Sequence, residues 1–98
     1  LNFTEQTTSL PHEADIYGNI NRNYPIYGVF AINGPYSDPG HIGVIYGIDI
    51  FNGYITVMDP AYTFVSATLG SDGRYTYKNT SNGNTYTLNT MLCMYWGD

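Results

Sequence analysis

The sequence predicts an α+β chain, an antiparallel and β-sheet-rich module led by one short N-terminal helix. Three observations predict it. Apolar, β-branched runs recur from Ile26 to Trp96; clusters of Gly, Asn, Asp, Pro and Ser separate them; and one stretch near the start carries helix-initiating chemistry. A chain of 98 residues buries about two-thirds of its unfolded surface. That supports one core, so 1–98 reads as a single domain.

The elements follow in order. Leu1 to Ser9 is polar and Thr-rich without a usable period. Ser9 before Leu10-Pro11-His12-Glu13 joins a capping side chain to a proline whose missing N–H does no harm in a first turn. Leu10, Ala14, Tyr17 and Ile20 or Asn21 trace a weak stripe, which predicts a helix over about Pro11 to Asn21. Tyr24-Pro25 should end it, because a residue before proline avoids helical backbone. Strands are then expected at Ile26–Ile32, His41–Ile50, Tyr54–Met58, Phe64–Leu69, Arg74–Lys78 and Thr85–Trp96. Asn33 to Gly40, Phe51-Asn52-Gly53, Ser71-Asp72-Gly73 and Ser81 to Asn84 supply the turns.

Composition removes several classes of function. Three basic residues (Arg22, Arg74 and Lys78) stand against eight acidic ones, for a net charge of -5. Nucleic acid is not an expected partner, since neutralising phosphates needs clustered Lys and Arg. No apolar run has the length of a membrane span and no basic segment leads an apolar one, so a membrane protein is excluded. Low charge with eleven tyrosines argues against disorder. The sole cysteine, Cys93, cannot make an internal disulfide or a Cys-rich metal site. No cofactor is expected. A surface carried by Asn, Thr, Ser and Tyr instead of Lys fits a secreted or cell-surface protein.

The stretch richest in chemistry is Gly40-His41-Ile42-Gly43-Val44-Ile45-Tyr46-Gly47 with Tyr54-Ile55-Thr56-Val57-Met58-Asp59-Pro60. His41 opens one strand after a Pro-Gly turn, and Asp59 closes the next before proline. An imidazole acting as general base needs a partner on its other nitrogen, to set its tautomer and steady its charged form. The register decides whether Asp59 can be that partner. A two-residue turn at Asn52-Gly53 would pair Phe51 with Tyr54 and Tyr46 with Asp59, sending His41 to the opposite face. The pair can meet only through a wider loop over about Asp49 to Gly53, or through a one-residue bulge.

Pro25 to Pro60 resembles the C-terminal half of bacterial papain-like cysteine peptidases. The shared pattern is a strand, a Gly/Pro loop, Gly-His before a hydrophobic strand, and a hairpin returning to Asp-Pro. Here it reads Tyr24 to Gly34, Gly40-His41, Ile42 to Asp49, and Tyr54 to Pro60. Similar His-containing strands occur in NlpC-type cell-wall hydrolases. The resemblance implies an antiparallel half of a papain-like fold, with His41 as catalytic base and Asp59 as its orienter in a Cys-His-Asp triad acting on a peptide or protein substrate. Two features depart from the family. Its nucleophilic cysteine stands upstream of the histidine, whereas Cys93 follows both His41 and Asp59; and Ala61-Tyr62 stands where relatives carry a shielding Trp. An N-terminal, Cys-bearing half is therefore expected outside these residues, this chain alone should be inactive, and its exposed face should favour a homodimer.

Plainer readings compete. His12 lies in a first helical turn facing solvent, Asp59-Pro60 suits a turn, and Cys93 between Leu92 and Met94 suits a core strand. Asp38, Asp49, Asp59 and Asp72 are too scattered for a calcium loop. Tyr75, Tyr77 and Tyr86 fit either an exposed binding platform or cross-strand aromatic pairing. The platform would make the chain a secreted, β-rich binding module without chemistry.

Overall fold

A computed structural model of the chain describes residues 2–9, 13–24, 26–34, 40–60 and 63–97. Among them the order is β1 (Asn2–Ser9), α1 (Glu13–Asn21), β2 (Ile26–Ile32), β3 (His41–Asp49), β4 (Tyr54–Asp59), β5 (Thr63–Leu69), β6 (Tyr75–Lys78) and β7 (Thr85–Gly97). The strands form one antiparallel sheet in the order β1-β7-β2-β3-β4-β5-β6, and a further β6–β7 pairing closes the last six into a barrel.

That closure corrects the expected α+β, papain-like half. The chain is a closed six-strand antiparallel barrel, mostly sheet, with a single nine-residue helix among the described residues. The physical reason lies in β7, whose thirteen residues serve three neighbours. Its first part pairs with β6, Thr76 opposite Thr87 and Tyr77 opposite Tyr86. Its middle pairs with β2, with a register shift between Val29 and Phe30. Its end, which overshoots the barrel, pairs with β1 from Ser9 opposite Thr90 to Asn2 opposite Gly97. β1 is the strand that the polar, aperiodic start concealed. It satisfies backbone donors and acceptors along β7, which requires no apolar alternation of its own.

The helix is also set differently from its expected stripe. Ile16 is fully buried in the core and Ile20 packs against it, whereas Tyr17 is about half exposed. Leu10, Pro11, His12 and the side chain of Ala14 lie outside the described residues. Asn23 ends the helix one residue before the Tyr24-Pro25 pair. It takes a left-handed φ of 59°, Tyr24 N donates to Asn19 O and Asn23 N donates to Ile20 O. These are the two bonds of a Schellman cap, with Asn in the position more often held by Gly.

Inside the barrel, Ile26, Phe30, Ile45, Ile55, Val57, Leu88 and Met91 form the core with Tyr75, Tyr77 and Tyr86. Gly43, between His41 and Ile45 on the inward side of β3, lets β3 and β4 pack closely there. A Cβ on it would stand 2.7 Å from Val57 Cγ1 and 3.3 Å from the backbone oxygen of Met58. Because Val57 is fully buried and β-branched, it has little room to yield. Gly43→Ala should therefore cost about 1–3 kcal/mol in urea unfolding, the usual range for overpacking. Gly47→Ala, which would meet only Thr56 side-chain atoms at 3.8 Å or beyond, should stay within about 0.5 kcal/mol of wild type.

Candidate functional site

The His41–Asp59 hairpin closes through a four-residue loop, Ile50 to Gly53, with Asp49 opposite Tyr54. Asp49 organises that loop. Its backbone oxygen accepts from Gly53 N at 2.9 Å, and its carboxylate accepts from Asn52 N at 3.0 Å and Asn52 Nδ2 at 2.8 Å. The Asn52 side-chain bond, aided by the backbone one, holds the Asp49 carboxyl below its ordinary value. Gly53 takes a φ of +70°, which favours glycine.

This loop alone would leave His41 on the outside. The ladder runs Asp49–Tyr54, Ile48–Ile55 and Gly47–Thr56, then resumes at Ile45–Val57 and Val44–Met58, skipping Tyr46. Tyr46 is a one-residue bulge that reverses which alternate residues of β3 face inward. Upstream of it Gly43 and Ile45 are buried and Ile42 is exposed, and His41 shares the inward face with Ile55, Val57 and Asp59. Of the two expected alternatives it is the bulge that brings the pair to one face; the loop has four residues instead of an odd number and does not. The register differs in one respect: Asp59 falls opposite Gly43, two residues from His41, so the pair meets diagonally instead of directly across.

His41 Nε2 lies 2.7 Å from Asp59 Oδ2. The Asp59 side chain is 3% exposed and that of His41 22%, so the carboxylate is dry while the imidazole reaches solvent. An ionised carboxylate only accepts hydrogen bonds, so opposite an ionised Asp59 it is Nε2 that donates. Among the described residues Nδ1 has no hydrogen-bond partner. Tyr77 donates its hydroxyl to the same Oδ2 at 2.6 Å. Burial first, then this bond and the Asp59 charge, push the Tyr77 phenol far above its ordinary value. The Tyr86 ring stacks on His41 with centroids 4.3 Å apart and 32° between planes, and its hydroxyl accepts from Asn82 Nδ2 at 3.0 Å.

Sequence reasoning brought His41 and Asp59 together but missed Tyr77 and Tyr86 as their neighbours. A signal for one contact was present, because the turn at Ser81 to Asn84 makes Tyr77 and Tyr86 cross-strand partners. All three of Tyr75, Tyr77 and Tyr86 are buried, so they form no exposed platform. Tyr62 lies outside the described residues; the ring that covers His41 comes from Tyr86 on β7. The side chain of Cys93 also lies outside them, but its backbone position is set by the ladder. Cys93 pairs with Ile26, whereas His41 pairs with Phe30, and Phe30 with Leu88. Five residues along β7 separate Cys93 from Leu88, about 16 Å of strand. Asp49 and Asp72 are bonded within their own turns, to Asn52 and to Arg74 N, and no group of three metal-ligating side chains occurs among the described residues. None of their helices is long and apolar enough to cross a membrane. No protein-family model matches the chain, and no curated protein or solved structure is significantly similar to it.

The raised Tyr77 phenol carries a signed consequence for stability. The folded chain holds that proton more tightly than the unfolded chain, whose tyrosines titrate near pH 10. The contribution is complete below about pH 10 and is lost as pH rises above it. Urea unfolding between about pH 9 and 11 should show stability falling more steeply in wild type than in Tyr77→Phe. Parallel slopes would contradict the assignment.

Proposed function

We propose that His41 and Asp59 are the base and orienter of a cysteine-type peptidase, and that the nucleophilic thiol comes from a segment outside these 98 residues. The observation that carries this reading is the 2.7 Å contact of Nε2 with a buried carboxylate oxygen, beside an imidazole partly open to solvent. In that arrangement Nδ1 takes the thiol proton, and the thiolate attacks a peptide carbonyl to form an acyl-enzyme. The imidazolium, steadied by Asp59, then returns the proton to the leaving amine. The likeness of Pro25 to Pro60 to papain-like peptidases supports the same assignment, and the distance of Cys93 from His41 along the ladder fits a thiol other than its own. A secreted or cell-surface enzyme fits the low-lysine composition.

The test is peptide hydrolysis by the longer polypeptide that contains these residues. His41→Ala should reduce kcat/KM by several orders of magnitude, as loss of a base–nucleophile partner does, and Cys93→Ser should leave it unchanged. The 98 residues alone should be inactive. Hydrolysis that survives His41→Ala, or that disappears with Cys93→Ser, overturns the proposal.

A second reading, a binding module, draws on the outer face of the same strands. Ile42, Tyr46 and Phe64 are each more than half exposed, and Tyr46 meets Phe64 edge-to-face with centroids 5.4 Å apart. Such patches favour association, and a second copy of this chain is the expected occupant. Light scattering of the isolated chain at high concentration should give a mass above the 10.9 kDa monomer, returning to monomer in Phe64→Lys. A monodisperse wild-type monomer would remove this reading.

A further inference from the structure

The outer face of the β3–β4 hairpin carries a cleft that the His41 site does not use. Ile48 packs against the core and pairs with the fully buried Ile55, so both face inward. Gly47 and Asp49 on β3, with Thr56 and Tyr54 opposite them, therefore face outward. The helix α1 packs against β3, and its half-exposed Tyr17 lines the cleft together with Gly47 and Asp49. Tyr54 and the fully exposed Phe51 complete its walls. Gly47 adds no side chain to fill the space, whose volume of about 410 Å³ is that of a small-molecule site.

Three aromatic rings and a carboxylate around one space favour a cation. Ring faces carry negative charge density and attract positive groups, and among the described residues none of these three rings is stacked on another. The Asn52 side-chain bond above all holds the Asp49 carboxyl below its ordinary value, so its charge is present at neutral pH. No basic side chain lines the cleft, and Asp49 forms no ion pair among the described residues. We propose that this cleft binds a quaternary ammonium group of the choline type, through the rings of Tyr17, Phe51 and Tyr54 and the charge of Asp49. The kind of cation follows from hydrogen bonding. Both Asp49 oxygens already accept from Asn52, Oδ1 from its backbone N and Oδ2 from Nδ2. A primary ammonium or a guanidinium brings several N–H donors, which would compete with Asn52 for those oxygens. A quaternary ammonium has no donor to satisfy. It needs only negative charge nearby and ring faces for its methyl groups, and the cleft supplies both. The site lies at the opposite end of β3 from His41 and is independent of the peptidase reading.

Titration of the chain with choline chloride at constant ionic strength, followed by proton–nitrogen correlation spectra, tests the site. The amides of Gly47, Asp49 and Phe51 should shift. The uncharged carbon isostere of choline, with tert-butyl in place of trimethylammonium, should bind about tenfold more weakly, as loss of attraction to several ring faces implies. Ethanolamine, the primary ammonium counterpart, should also bind more weakly than choline. Tyr17→Ser should weaken choline binding by about threefold or more, and Asp49→Asn should narrow the preference for choline over its isostere. Should Asp49→Asn disturb the loop, Phe51→Ser, at a fully exposed position, should weaken choline binding as Tyr17→Ser does. Equal affinity for choline and its isostere, or choline binding unchanged in both Tyr17→Ser and Phe51→Ser, overturns the proposal. Ethanolamine binding as tightly as choline overturns the assignment to a quaternary cation. Phosphatidylcholine vesicles distinguish the source of the group. Sedimentation of wild type with them, lost in Tyr17→Ser, places it on a lipid; choline binding without sedimentation places it on a soluble molecule.

Discussion

A carboxylate buried at the end of a barrel strand cannot be left to itself, since an unpaired charge in a low-dielectric interior costs several kcal/mol. Asp59 is such a group, and the strands around it answer to that constraint. β3 supplies His41, β6 supplies Tyr77, and β7 supplies the ring of Tyr86 that covers the imidazole. These four residues are brought together only because β6 pairs with β7. Barrel closure and completion of the site are thus a single structural event.

The same constraint gives meaning to the bulge at Tyr46. Without it, Ile42 would point into the barrel and His41 out of it, exchanging an apolar side chain for the partner that Asp59 needs. With it, Ile42 and Tyr46 lie on the outer surface and His41 faces inward. One extra residue thereby decides both the chemistry inside and the apolar patch outside. The Asp49 loop works with the bulge: by spanning four residues it sets the ladder from which the bulge then departs.

The site divides into the histidine–carboxylate pair and the groups around it. Tyr77 donates to the acceptor oxygen, Tyr86 stacks on the imidazole, and Asn82 donates to the Tyr86 hydroxyl. Gly43 lies opposite Asp59 on the same face, where a side chain of its own would run into Val57.

Local chemistry in the sequence was enough to place most elements. Asn-Gly, Asp-Gly and Pro-Gly clusters delimit β3 to β7, and the face alternation of a strand was enough to require a bulge or widened loop between His41 and Asp59. Those conclusions depend on neighbours a few residues apart, and so they are legible in one dimension. Three features are not. β1 is held by the backbone of β7, so its polar side chains carry no mark of it. The helix buries Ile16 instead of its apparent stripe, because the core surface it meets is assembled from distant strands. The place of Tyr77 beside Asp59 depends on β6 returning to β7, and the residues alone do not say whether a sheet will close. Residue spacing determined that His41 and Asp59 could meet; the closed barrel decided what stands around them, because packing across it joins side chains that the chain keeps far apart.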